Sequence, residues 1–470
     1  MVSMHARYLS IIGVLLLILA AVSSPILYSG YNNLHSAQTA LAGKKYDDAA
    51  RLFESAATHL VWRGDLWEQA GLAAYRGGNN VEAIRLLEIA RDKKSLSSQG
   101  WETLGIAYWN SNDHKTALTI WREGSQADPS DVVFYDRLAM AYHENGDYAY
   151  EQNVLVKRLS LASDANSHYE LGMLLMLSDT NRALTELESA SSMDPQFDSA
   201  VQTLRAAIAV SDTESDPANR LIAIGRGLGL VEEWGLAENA FEKAVSADAK
   251  NAEAWAWLGE ARQHNGQDGS DDLNQALTIN PNDAIVHALR GLYWKRQGNY
   301  HQALTEYLQA AQIEPDNPAW QASLGDAYTQ TGDLVSALAA YQKATQLAPN
   351  DATYWRLLAT FCSDNDLYVL DIGLPAAKQA AQLAPNDPQT LDVLGWSYSS
   401  AGLLYNAEEN FLHAIKLSPD LAIAHLHLAE NYLRQGNNAS AFTELNLVVQ
   451  LDQGGTSGQT AAQILKQYFP

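Results

Sequence analysis

The chain has 470 residues, and 31 Lys and Arg against 55 Asp and Glu leave a formal charge of −24. That balance argues against nucleic acid as a partner, since phosphate contact needs basic patches, and suits a long solvated surface. A single cysteine, Cys362, excludes a disulfide framework and a zinc ribbon and reads as a buried packing thiol.

Taken in order, the chain starts with one early positive charge, Arg7, followed by an uncharged stretch from Leu9 to Tyr28. About 20 apolar residues suffice to span a bilayer as a helix. A cleaved signal peptide is the competing reading, with Ala21-Val22-Ser23 as its small-residue site. Pro25 just behind that site, and an apolar run continuing through Ile26 and Leu27, favour a retained single-pass transmembrane helix over residues 1–29. No cysteine follows the stretch, which excludes a lipoprotein. Nothing basic follows until Lys44-Lys45, so the positive-inside rule puts the N-terminus in the cytoplasm and the rest outside.

A first array, 30–211, opens with Tyr46, Ala49, Phe53 and Ala56 on the second helix of a hairpin whose first helix covers about 31–41. Further hairpins follow around Trp67, Trp101, Tyr135 and Leu171-Gly172. Residues 197–211 read as one apolar helix without a partner. The acidic segment 212–217, ending in Pro217, reads as a loop or hinge. Either two arrays meet here or one degenerate repeat interrupts a continuous one; the boundary is placed here. The second array, 218–453, has a short second helix after Trp255 and a lengthened turn at 364–371. Residues 454–458 are a flexible link, and 459–469 an amphipathic capping helix.

The period is clearest over 284–351. Gly291, Gly298, Ala303, Tyr307, Ala310 and Pro315 recur 34 residues later as Gly325, Gly332, Ala337, Tyr341, Ala344 and Pro349. A fixed period of this size marks stacked repeats. Within each, Gly-Asn or Gly-Asp closes one helix, and Pro-Asn-Asp stops the other and caps the next. Gly291, Gly325 and Gly395 fall mid-helix and imply close helix–helix approach, with Ala303, Ala337 and Ala407 facing them and Tyr307, Tyr341 and Phe411 filling space toward the next repeat.

Trp101, Leu104-Gly105, Tyr108, Ala117, Trp121 and Pro129 give the order of key residues at nearly every position. This pattern resembles the tetratricopeptide repeat (TPR) family. The resemblance implies an all-α, right-handed solenoid of about a dozen helix-turn-helix units. It also implies a concave groove lined by each unit's first helix, helix A, that takes peptide segments of partner proteins. Carried over by register, the groove positions include Tyr75, Arg76, Trp109, His143, Glu260, Lys295, Arg296, Asp326, Arg356, Trp396, Glu430 and Arg434. Glu260 and Asp326 stand where a carboxylate clamp for chaperone tails would need Asn, which disfavours that function. Trp109 and Trp396 are the aromatic anchors to weigh against inter-repeat packing.

No catalytic, cofactor or metal constellation stands out. His425-x-His427 is spaced i, i+2 on a helix and is poorly placed for one metal. The run 225–229, Gly-Arg-Gly-Leu-Gly, falls inside a helix A rather than after a strand. Expected, therefore, is a non-enzymatic membrane-anchored scaffold that holds a cell-envelope complex together. The alternative is an accessory subunit of an envelope glycan or polymer assembly or export system.

Overall fold

The computed structural model describes residues 25–469. They form twenty-six α-helices, α1 to α26 in chain order, and no strand. Two compact units are distinguished: Met1–Thr213 with Ala223–Ala237, and Glu214–Ile222 with Glu238–Pro470. In the first, α1 (25–42) and α2 (Tyr46–His59) make one hairpin. α3 (Asp65–Arg76) with α4 (Asn80–Asp92), α5 (Ser98–Asn110) with α6 (His114–Ala127), α7 (Val132–Glu144) with α8 (Tyr148–Leu161), and α9 (Ala165–Leu175) with α10 (Thr180–Met193) make the next four. In the second, α14 (Ala252–His264) to α25 (Asn438–Leu451) alternate in the same way.

Local chemistry sets these boundaries. Asp283, Asp351 and Asp387, each closing a Pro-Asn-Asp turn, accept hydrogen bonds from backbone N–H groups at the start of the next helix. Gly332 and Gly436 end α18 (Pro318–Thr331) and α24 (Ala422–Gln435) with φ of 84° and 77°, a conformation that costs glycine nothing.

Packing within a hairpin differs from the expectation. The mid-helix glycine faces the large residue of helix B, not its alanine. A Cβ on Gly291 would lie 2.7 Å from the ring of Tyr307, on Gly325 2.8 Å from Tyr341, and on Gly395 2.7 Å from Phe411. In the first unit Gly105 meets Trp121 and Gly71 meets Leu87. The glycine is thus the slot that seats a bulky side chain inside its own repeat. Ala303, Ala337 and Ala407, all buried, belong to core clusters that continue into helix A of the following repeat.

The framework tryptophans do more than fill core. Trp255 and Trp355 donate from Nε1 to the carbonyls of Ala249 and Pro349, six residues back, at 3.0 and 2.8 Å. Tyr135, His287 and His425 make the equivalent bond to Pro129, Pro281 and Pro419. A ring donor at this position clamps the turn between repeats.

Several boundaries move. The loop expected at 212–217 spans only 214–216, because α11 (Asp198–Thr213) runs on to Thr213 and Pro217 opens α12 (Pro217–Leu230). Proline suits a first helical turn, and the Asp216 carbonyl accepts from Arg220 N–H at 3.1 Å. The lone helix therefore starts at Asp198, after a 3₁₀ turn at Pro195–Phe197, rather than at 197. The lengthened turn contains a π-helical segment, Val369–Gly373, feeding α21 (Leu374–Leu383). The last helix, α26, covers Thr456–Tyr468, so most of the expected link is helical. Gly458 N–H donates to the Asp452 carboxylate at 3.0 Å and pins that start.

Residues 9–24 of the expected transmembrane span lie outside the described residues. Its last residues, 25–28, belong to α1, where Leu27 packs on the core of the first repeats. Among the described residues no helix is long and apolar enough to cross a membrane.

Candidate functional site: the row of helix A side chains

Helix A of each repeat carries the expected site residues, and most are already engaged. In the second unit the engagement runs from one helix A to the next. Glu260 of α14 is buried, and Arg296 of α16 (Ala284–Arg296) grips it through two bonds, 2.7 and 2.5 Å, with His264 at 3.2 Å. Lys295 pairs with Asp326 of α18 at 2.7 Å. Arg356 of α20 (Ala352–Asp364) bonds to Gln389 of α22 (Pro388–Ser400).

Trp396, on α22, is the most elaborated position. Its Nε1 donates to Asp364 at 2.8 Å. Its ring stacks on His427 with centroids 4.5 Å apart, and the Arg434 guanidinium lies 5.0 Å from it. His427 in turn bonds to the buried Asp392 at 2.9 Å, and Arg434 to Ser399 at 3.2 Å. Burial pushes the neighbouring Glu430 carboxyl up, against the pull of His427 and Arg434. Trp396 is therefore held on both sides rather than projecting free. His425 and His427 do not converge: His425 is buried against Glu444 and the Pro419 carbonyl.

In the first unit Tyr75 is half-buried against the core and Arg76 is exposed at the end of α3. Trp109 stacks on His114 of its own repeat at 3.8 Å and leans toward Trp121 at 5.7 Å. That packing, not free display, is its main engagement.

His143 sits in a different setting. Its Nδ1 faces the buried Glu151 carboxylate at 3.1 Å, and its Nε2 lies 3.6 Å from Glu233. These groups line a cavity of about 440 Å³. Six acidic side chains (Asp136, Glu144, Glu151, Asp164, Glu170, Glu233) face it, against His143 and Arg158. Arg158 is committed to Asp136 at 2.8 Å and to Asp164. Burial, reinforced by the Glu151 charge, pushes Glu170 up to about 7. The His143 imidazole is raised by its bond to Glu151, which outweighs its burial. The cavity thus carries excess negative charge with a half-titrated carboxyl at neutral pH. Met140, Leu155, Met173 and Leu236 supply apolar wall.

The helix A register picks out His143 but not its surroundings. One signal was present. Glu151 lies twelve residues after Ala139, where Ala303, Ala337 and Ala407 lie twelve after their glycines. A glutamate in a slot that is elsewhere a buried alanine marks a built polar site.

Repeating helical hairpins are the class this architecture defines. Residues 68–132, 296–360 and 388–421 each match the tetratricopeptide repeat, the first stretch in one unit and the other two in the second. Among solved structures, yeast Tom70 is 14% identical, with 93% of this chain and 95% of that chain covered and a TM-score of 0.41. The Cut9–Hcn1 hetero-tetramer of the APC/C is 16% identical over 92% and 95%, with a TM-score of 0.42. YrrB, a TPR protein with an unusual peptide-binding site, is 19% identical over 41% of this chain and 97% of its own, with a TM-score of 0.30. No curated protein sequence matches the chain.

Proposed function

We propose that this protein is a scaffold that binds segments of partner proteins on its helix A face and holds them in a cell-envelope assembly. In this reading the stretch from Leu9 to Tyr28 anchors it as a single-pass membrane protein, with the repeats on the extracytoplasmic side. The observation that carries the binding role is the cavity around His143. It joins side chains of α7, α8 and α9 and the turn before α13 (Trp234–Ala247), and it offers both apolar wall and unbalanced charge. A partner segment that places a basic side chain there gains charge complementarity, and the apolar wall supplies contact area. The chemistry is non-covalent, and no catalytic role is assigned.

The test is photo-crosslinking from position 140 in native membranes, with the full chain and with its Glu144→Gln/Glu170→Gln variant. The expected result is a discrete partner adduct that weakens in the variant. An adduct of undiminished yield in the variant overturns the role of the acidic cavity.

A further inference from the structure

The start of α1, the turn after α2 and the turn after α4 form one edge of the first unit. Gly30 of α1 packs against the end of α2 so closely that a Cβ there would fall 2.8 Å from Leu60 Cγ and 3.0 Å from His59 Cβ. Gly64, in the turn after α2, abuts Ser95 and Lys93 of the turn after α4, and the Ser95 hydroxyl donates to the Gly64 carbonyl at 3.0 Å. These contacts bring three short segments together.

Tyr28 is 76% exposed, Val61 72% and Trp62 59%, with Ile26 and Tyr31 also outward. Large apolar side chains grouped at one edge call for an occupant. Lys93 and Lys94 are exposed beside them. Arg63 is matched by Asp65 at 2.7 Å, and two exposed lysines stand against one exposed acid, Asp92, at the end of α4, on a chain of charge −24. Tyrosine and tryptophan beside lysine are the side chains that settle at a membrane–water boundary, rings among the headgroups and ammonium groups on lipid phosphates.

We infer that this edge of the first repeats lies in the membrane interface, with Tyr28, Tyr31 and Trp62 at headgroup depth and Lys93 and Lys94 on anionic lipid. The occupant is chosen by what adjoins the edge. The uncharged stretch beginning at Leu9 leads directly into Tyr28, in the first described turn of α1. Charge complementarity points the same way. The inference rests on the anchor reading above and adds to it a fixed attitude. The first repeats are seated on the bilayer by two contacts besides the covalent one.

The test uses the full chain in lipid nanodiscs with brominated acyl chains. An environment-sensitive fluorophore is placed on Tyr31→Cys, Trp62→Cys or Val81→Cys. The native thiol, Cys362, is buried and stays unlabelled. Val81, also exposed, starts α4, at the opposite end of these helices, where Gly77 abuts Tyr46. Bromolipid should quench the probes at 31 and 62 and spare that at 81. Quenching at 62 should deepen when phosphatidylglycerol joins phosphatidylcholine, and Lys93→Glu/Lys94→Glu should abolish that increment. Equal quenching at 62 and 81 in incorporated protein overturns the seating while leaving the anchor intact. Quenching at 62 that ignores lipid charge overturns the role of the lysines. A chain that does not stay with the nanodiscs overturns the anchor and this inference together.

Discussion

Replacing Gly105 by alanine sets two known effects against each other. In an isolated helix the change gains about 1 kcal/mol, because glycine is the poorer helix former. In this fold the new methyl would lie 2.1 Å from Trp121 Nε1 and 2.5 Å from Cδ1, well inside ordinary contact at 3.4 Å. The indole cannot simply retreat. Trp121 is fully buried, clustered with Leu118, Phe134 and Leu138, and its Nε1 donates to the Glu102 carbonyl at 3.2 Å. Overpacking of this kind costs roughly 1–3 kcal/mol, and losing the indole hydrogen bond adds about 1 kcal/mol. After the helix gain is subtracted, a net loss of about 1–3 kcal/mol remains. Urea unfolding of Gly105→Ala, followed by circular dichroism and by near-ultraviolet signals, should show an early transition of part of the array. A Trp121→Phe change in the same chain should recover part of the loss, since it removes the atom nearest the methyl. If Gly105→Ala instead raised the urea midpoint, helix propensity would have won and the slot reading of the glycine would be wrong.

Glu170, pushed up to about 7 by burial, binds a proton in the folded chain that the unfolded chain, near 4.5, has released. Its contribution is therefore lost as pH rises from 4.5 through 7, so Glu170→Gln should stabilise the first unit at pH 8 by up to about 3 kcal/mol and leave it unchanged at pH 4. His287 and His425 each face a carboxylate at 2.6 Å and a proline carbonyl at 3.0 and 3.1 Å. Both ring nitrogens must donate, so both rings are held as imidazolium and titrate above the ordinary 6.5. Their stabilisation is full below 6.5 and fades as pH rises through the raised values; the chain with His287→Gln and His425→Gln should lose less between pH 6 and 9 than the parent in urea titrations. Cys362 is buried and its thiol pushed up to about 11, so it should resist iodoacetamide in the native chain and react only in denaturant. Arg296→Ala strands the buried Glu260 with only His264 and should cost about 3 kcal/mol, whereas Lys295→Ala, at a solvated pair, should cost at most about 1 kcal/mol by the same urea assay.

The repeat was legible because its punctuation is local. Gly332 needs a positive φ and Asp283 caps the next helix whatever surrounds them, so the turns follow from a few adjacent residues. The partner of a mid-helix glycine was not legible in that way. Ala303 and Tyr307 lie on one face of the same helix, one turn apart, and which of them meets Gly291 depends on how the two helices cross. The short loop at 214–216 was hidden because acidic residues read as loop, although Asp212 and Thr213 finish a helix and Asp216 caps the next. Register put the candidate side chains on helix A, but it carries no information on their pairing. Glu260 finds Arg296 36 residues on, and Asp392 finds His427 35 residues on.

Those pairings change what the helix A face can offer a partner. Along the second unit, Lys295 with Asp326, Arg356 with Gln389 and Arg434 with Ser399 are each satisfied by the neighbouring repeat. A ligand charge arriving there must displace an existing contact, and for exposed pairs that displacement costs only about 0–1 kcal/mol. Selectivity from such positions is correspondingly weak. Around His143 the balance differs, because Arg158 is spent on Asp136 and Asp164 while Glu151 and Glu233 share one imidazole. A cation entering that cavity meets six acidic side chains against one arginine and one imidazole. It also offsets the burial and the Glu151 charge that together push Glu170 up, so its binding should release a proton near pH 7. On the proposed binding role, discrimination should be strongest where one repeat put a glutamate in the slot that its neighbours fill with alanine.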